Sequence, residues 1–214
     1  MTDDVRLHLG CGSTVVNGWV NIDKSPSARV PAPVRAVLRR VGVLNADQAN
    51  AVFPEGIVHA DVRRGLAYAD GTVGYVYSSH MIEHMARWQA LALLRECHRV
   101  LRPGGVVRVV TPDLALLVAE YQRGEAPYGP TPADSLIEQL RTFRESSAGP
   151  VQRLMLRLLA EPHQWLYDGE SAMALFREAG FDAPRVTGYR ESALPEIDVL
   201  EDRDGSLFVE AARV

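Results

Sequence analysis

Chemically versatile side chains concentrate at His80-Met81-Ile82-Glu83-His84. Where a chain enters a helix, positions i, i+3 and i+4 share one face, so two imidazoles and a carboxylate converge there. Such a group removes a proton from a weak nucleophile, holds a divalent ion, or hydrogen-bonds a ligand pocket. A second concentration is Leu7-His8-Leu9-Gly10-Cys11-Gly12, followed by Gly18-Trp19-Val20-Asn21-Ile22-Asp23. Glycines at a strand end let backbone approach a ligand, and a carboxylate ending the next strand accepts hydrogen bonds from both hydroxyls of a ribose. A pyrophosphate cradle would need a third glycine three residues after Gly12, where Val15 stands. A nucleoside without phosphates fits better. Asp61, in His59-Ala60-Asp61-Val62, is placed to read an adenine edge with the next backbone amide, or simply to cap a turn.

The third group is Asp113, Tyr121, Tyr128 and the run His163-Gln164-Trp165-Leu166-Tyr167-Asp168. Aromatic faces beside hydrogen-bonding groups suit a carbohydrate, while Trp165 and Tyr167 serve equally well to pack a lid onto a core. His84, His163 and His80 are the candidate bases. Cys97 reads as a small buried residue and Cys11 as a backbone position, neither with a redox role.

These groups need elements that bring strand ends together. Val5 to Leu9, Val20 to Ile22, Gly56 to Ala60, Val73 to Ser78 and Val106 to Thr111 read as strands. Pro33 to Val43 and Trp88 to Leu101 have helical periodicity, the second stopped by Arg102-Pro103-Gly104-Gly105. Ser171 to Ala179 reads as a helix closed by Gly180, and Arg185 to Tyr189 and Ser206 to Arg213 as a final antiparallel strand pair. The whole is α/β, a single domain over residues 1–214 with a helical lid at about 113–168.

With 47% hydrophobic and 23% charged residues, the 214-residue chain buries a full core, which excludes disorder. A net charge of −4 lacks the basic footprint of a nucleic-acid binder. Two cysteines make no disulfide framework, and the polar start of the chain contains neither a signal peptide nor a span of about 20 apolar residues. The expectation is a cytoplasmic protein without a membrane span. No sequence feature sets an oligomeric state.

Over residues 5 to 111 the chain resembles class I S-adenosylmethionine-dependent methyltransferases. The glycine strand end, Asp23, Asp61, the Glu83-His84 pair and the Arg99-Val100-Leu101-Arg102-Pro103-Gly104-Gly105 turn appear in that family's order. The resemblance implies a Rossmann-like fold with a seven-stranded, mostly parallel sheet and S-adenosyl-L-methionine as cofactor. It implies that Gly10, Cys11 and Gly12 pass under the methionyl part, that Asp23 holds the ribose, that Asp61 and Val62 face the adenine, and that Ser79 and His80 sit beside the sulfonium. Only ten residues separate Gly12 from Asp23, so the first crossover is abbreviated and Asn17 and Trp19 are expected to replace part of its wrapping of the methionine end.

This shortened form resembles a bacterial subgroup of saccharide-modifying O-methyltransferases, with mannosides among the fitting acceptors. The spacing of His80, Glu83 and His84 also resembles the Glu-x-x-Glu-His motif of metal-dependent quinone-biosynthesis O-methyltransferases, with His80 in place of the first glutamate. That implies Mg2+ or another divalent metal. The expected function is methyl transfer to a hydroxyl of a small-molecule or oligosaccharide substrate, aided by a histidine base, a metal or both. The substrate residues are Asp113, Tyr121, His163, Trp165 and Tyr167. The alternatives are a polyketide, quinone or amine methyltransferase, or an inactive cofactor-binding partner subunit.

Overall fold

Each apolar run forms a strand in the computed structural model, which describes residues 4–24, 32–40, 54–141 and 162–214. The strands are β1 (Val5–Leu9), β2 (Val20–Asp23), β3 (Ile57–His59), β4 (Val73–Ser79), β5 (Leu101–Pro112), β6 (Arg185–Thr187) and β7 (Ser206–Ala212). They make one sheet in the order β3-β2-β1-β4-β5-β7-β6. All neighbours are parallel except β7, which runs antiparallel to both β5 and β6. The expected seven-stranded, mostly parallel sheet is therefore observed.

The helices of the described residues are α1 (Ala32–Arg40), α2 (Arg87–Val100), α3 (Leu114–Gln122), α4 (Pro132–Leu140), α5 (Gly169–Glu178) and the short α6 (Ile197–Leu200). α2 buries the stripe Ala90, Leu91, Leu93, Leu94, Cys97 and Val100, the i, i+3, i+4 spacing of a helix with one face in a core. Burial pushes the Cys97 thiol up to about 12, so it stays protonated as a packing group. α5 is capped by Asp168, whose carboxylate accepts from Ser171 N at 2.8 Å. None of the helices among the described residues is long and apolar enough to cross a membrane. Of the lid region, α3 and α4 pack on each other; residues 142–161 and the end of the expected first helix, 41–43, lie outside the described residues.

One boundary differs from expectation for a definable reason. β5 begins at Leu101, directly where α2 ends, because Leu101 and Val73 pair and are both wholly buried. Pairing then resumes at Tyr75 with Val106, so the Arg102 to Gly105 turn bulges out of the strand, and Arg102 is anchored to Asp4 at 2.7 and 2.9 Å.

Strand alternation splits the interior between the two faces of the sheet. On one face, Leu7, Leu9, Val76, Val107, Val109 and Val209 pack with α2 and α5. On the other, Tyr77, Val110 and Phe208 meet Val16, Trp19, Leu194 and Leu200. This second face is closed by two loops. One is the abbreviated crossover, where Asn21 ties the turn together: its Oδ1 accepts from Val16 N at 3.0 Å, and its Nδ2 donates to Val16 O and Trp19 O at 3.1 and 3.0 Å. The other is the stretch 188–205 between β6 and β7, joined to the crossover where Trp19 Nε1 and Arg6 both donate to Glu196, the indole at 3.0 Å. Trp19, expected at the methionine end, is thus a core residue, 6% exposed among Val16, Tyr77, Leu194 and Leu200. Asn17 is exposed.

The second loop is held by Arg108, wholly buried on β5. All five of its N–H groups are used: on both Glu201 carboxylate oxygens, Thr187 Oγ1 at 2.6 Å, Gly188 O at 2.9 Å and Glu191 O at 3.1 Å. Glu210 lies 3.5 Å away and also bonds Arg185. A buried guanidinium without such partners would cost several kcal/mol, roughly, in lost solvation.

Candidate functional site

The carboxyl ends of the parallel strands gather the groups singled out above, as expected of an open α/β sheet. After β1 the chain turns at Gly10, with φ +69°, where an added Cβ would stand 2.6 Å from Met81 Sδ. Only glycine fits there. Gly10 N and Cys11 N both donate to Ile22 O, at 2.8 and 3.2 Å, which locks this turn against β2. Gly12 has φ +56° and no atom within 4 Å of where its Cβ would be, so the backbone presents an open face. Its N–H donates to Asp23 Oδ2 at 2.9 Å, setting the carboxylate beside that open face. An open glycine turn with a carboxylate at the next strand end fits a ribose-bearing nucleoside.

Behind this rim, His8 is buried and lies 3.3 Å by Nδ1 from Asn21 Oδ1; burial pulls its pKa down to about 4. It is a neutral structural ring. Burial likewise pushes the Cys11 thiol up to about 12, which removes it as a nucleophile. Asp61 takes the turn-capping role. Its Oδ1 accepts from Arg63 N at 3.1 Å, and the Arg63 guanidinium, 2.6 Å from Oδ2, holds its pKa down to about 2. Val62 is buried in the core with its amide beside that carboxylate.

After β4 the backbone reverses sharply at His80, whose φ of +49° is unusual for a residue with a side chain. His80 N donates to Val110 O at 2.9 Å, and its Nε2 lies 3.2 Å from Ser206 Oγ. A single 3-10 turn, Ile82–His84, follows. Glu83 is wholly buried in it, with Thr111 Oγ1 donating to its Oε2 at 3.5 Å. Its Oε1 is 3.3 Å from His80 Nδ1 but makes no hydrogen bond.

His163 then arrives from far along the chain. Gln164 N and Trp165 N donate to Glu83 O at 2.7 and 3.2 Å, and Gln164 Nε2 donates to His84 O at 2.8 Å. The His84 and His163 rings meet edge to face, 4.8 Å between centroids. Burial holds His163 below the ordinary histidine value, so it remains a neutral base. Among the described residues, Glu83, His84 and His163 each offer one potential ligand atom within 4.8 Å of the others. His163 thus joins Glu83 and His84 in this group, while His80, expected there from spacing, stays beside Glu83 through Nδ1 at 3.3 Å and meets Ser206 through Nε2.

These groups line a cleft of about 420 Å³ together with Asp113, Tyr128, Glu138, Gln139, Arg141 and Arg203. Asp113 caps α3, accepting from Ala115 N at 2.9 Å, while remaining on the cleft wall. Tyr121 and Trp165 are 47% and 46% exposed and are not among the residues lining the cleft. Tyr167 is not on the acceptor surface at all: it is 0% exposed in the core, and burial pushes its phenol up to about 12. Its main chain pairs with Asp113 and accepts from Leu114 N at 2.9 Å, so the ring turns inward. Arg141 and Arg203 carried no sequence signal. Asn21 did: a polar residue at an apolar parity position in a strand demands a partner.

The sheet order, with its parallel strands and one antiparallel strand, is that of a Rossmann-like methyltransferase fold. Residues 7–109 match the family model described as a methyltransferase domain. A probable S-adenosylmethionine-dependent methyltransferase of Mycolicibacterium smegmatis is 38% identical over 82 residues, which is 36% of this chain and 31% of that protein. The chain thus spans about a third of the length of this curated relative. The solved S-adenosylmethionine-dependent methyltransferase of Mesorhizobium loti superposes with a TM-score of 0.51 at 20% identity, covering 98% of this chain and 91% of that one. It shares the fold.

Proposed function

We propose that the chain transfers a methyl group from S-adenosylmethionine to an oxygen, a hydroxyl of a saccharide or glycoconjugate. The cofactor supplies, when bound, a methyl carbon on a positively charged sulfur. Gly10, Cys11 and Gly12 would pass under its methionyl part, Asp23 would hold its ribose, and the Asp61-Val62 turn would face its adenine. Ser79 ends β4 and His80 after it lines the cleft, and both would sit beside the sulfonium.

The observation that carries the oxygen reading is the polar wall of the cleft. Beside His84 and His163 stand Asp113, Glu138, Gln139, Arg141 and Arg203, a lining that matches a polyhydroxylated acceptor. A hydroxyl is a weak nucleophile at neutral pH and gains from a base within hydrogen-bond reach. His163, kept neutral by burial, and His84 beside it would accept that proton as the methyl group leaves sulfur. α3 and α4, from the 113–168 region, would form the lid over the acceptor.

The test is methyl incorporation from labelled S-adenosylmethionine into mannosides and other saccharides, alongside quinols, polyketides and amines. Saccharide labelling lost in His163→Ala is expected, with S-adenosylhomocysteine affinity retained. Asp23→Ala should do the reverse, weakening that affinity by about 10- to 150-fold, the equivalent of a charge-assisted hydrogen bond of about 1.5–3 kcal/mol. Labelling of amines or quinols with no saccharide product would sink the acceptor assignment.

A further inference from the structure

Three glutamates are buried among the described residues: Glu83, Glu201 and Glu210. Glu201 and Glu210 each meet Arg108, and Glu210 meets Arg185 as well. No arginine or lysine among the described residues pairs with Glu83, although it is 0% exposed; the His80 ring stands beside it, Nδ1 3.3 Å from Oε1, without making a hydrogen bond. Its Oε1, His84 Nδ1 and His163 Nδ1 are all buried and all without a hydrogen-bond partner. Unpaired buried polar atoms are rare in a folded protein, and three in adjoining side chains point to a missing common partner. One carboxylate oxygen and two imidazole nitrogens with no shared donor among them call for a cation.

We propose that Glu83, His84 and His163 form a mononuclear site for a divalent transition ion of the zinc type. One ligand atom from each residue lies within 4.8 Å of the others. Four-coordinate geometry at about 2.1 Å separates neighbouring ligand atoms by roughly 3.4 Å, so rotations moving the side-chain tips by about an ångström close the site. The backbone holds the two halves of the site together without the ion, through the bonds from Gln164 and Trp165 to Glu83 O and from Gln164 to His84 O. Two imidazoles and one carboxylate suit zinc and its neighbours, whereas magnesium prefers an all-oxygen octahedron. Of the divalent ions open to the sequence, Mg2+ or another, this ligand set favours the nitrogen-preferring one, with His163 in the ligand position that spacing gave to His80.

Three protein ligands leave a coordination position, as in zinc sites that act on substrates, and all three line the acceptor cleft. An ion there would acidify a bound acceptor hydroxyl in place of a free histidine base, since ligation occupies both rings; that role rests on the function proposed above, while ion binding itself does not.

The experiment uses the full chain stripped with a chelator and titrated with Co2+, followed by visible absorption, with Zn2+ as competitor and neither cofactor nor acceptor present. One equivalent of cobalt, displaced by zinc, is expected. His163→Ala and Glu83→Gln should each weaken binding by more than about 100-fold, since losing an outer-shell partner alone costs about 10- to 100-fold. His80→Ala, which removes only the ring beside Glu83 Oε1, should weaken binding by no more than the roughly 10- to 100-fold of an outer-shell partner. S-adenosylhomocysteine titration of each variant reports whether it is folded, and His84→Gln repeats the test should His163→Ala fail that check. Wild-type protein that takes up no ion, or folded His163 and Glu83 variants that bind cobalt undiminished, would overturn the site. Saccharide methylation by ion-free protein would reject the metal's role and leave the acceptor assignment standing; cobalt uptake by a chain that methylates nothing would do the opposite.

Discussion

Two places in this sheet bury charge, and they treat it differently. At the middle of β5, Arg108 is saturated: five donors, five acceptors, and two carboxylates facing one guanidinium. At the strand ends, Glu83 is equally buried but leaves an oxygen unbonded beside two imidazole nitrogens in the same condition. The first arrangement spends its polar atoms on holding a loop to the sheet. The second keeps them available to something that enters the cleft. Satisfied buried charge marks architecture here, and unsatisfied buried charge marks chemistry.

The largest effect expected is on the saturated cluster. Arg108→Met leaves Glu201 and Glu210 buried with their shared cation gone, which should destabilise the fold by about 3–5 kcal/mol in denaturant unfolding. A loss under 1 kcal/mol, roughly on the scale of an ordinary surface change, would mean that the cluster is dispensable. The strand-end cluster should respond with the opposite sign. Glu83→Gln in stripped protein replaces a wholly buried carboxylate, one of whose oxygens is unbonded, and supplies amide donors to the neighbouring imidazole nitrogens. Stability should rise by roughly 1–3 kcal/mol while methyl transfer is lost. A destabilised variant would show that the carboxylate is structural after all, and the contrast would collapse. The smallest effect sharpens the same rule on a neutral group. Tyr167 Oη is buried without a partner, so Tyr167→Phe should leave the melting temperature unchanged or raise stability by up to about 1 kcal/mol.

The fold was legible in the sequence to the extent that local pattern decides it. The apolar runs that became β1, β2, β4 and β7, the Gly10 and Gly12 turn, and Asp23 beside it are all matters of short-range sequence, and the structure puts them where the spacing indicates. Asp61 and Asp113 show the local role open to a strand-end aspartate, since each caps the following turn. What escaped is non-local. Nothing within residues 80–84 says that His163 will lie against His84, because the approach is made by main-chain bonds between Glu83 and Gln164. The aromatic run at 163–167 is ambiguous for the same reason: whether Tyr167 faces solvent or core depends on its bridge to Asp113, a pairing with no local signature. Trp19 was misplaced because the partner that buries it, around Glu196, is encoded near the other end of the chain.

That last pairing bears on how the molecule assembles. Arg6 and Trp19 are 190 and 177 residues from the glutamate they share, and the sheet face above Tyr77 is closed by Leu194 and Leu200. An emerging chain carrying Gly10, Gly12, Asp23 and Asp61 would still have an open interior until the stretch past β6 leaves the ribosome. Contacts of such long sequence separation slow folding and lengthen exposure of apolar surface. A fragment ending at residue 187 should therefore bind chaperones and aggregate instead of forming a smaller working nucleoside-binding unit, and the final 27 residues act as the latch that commits the whole chain to its native state.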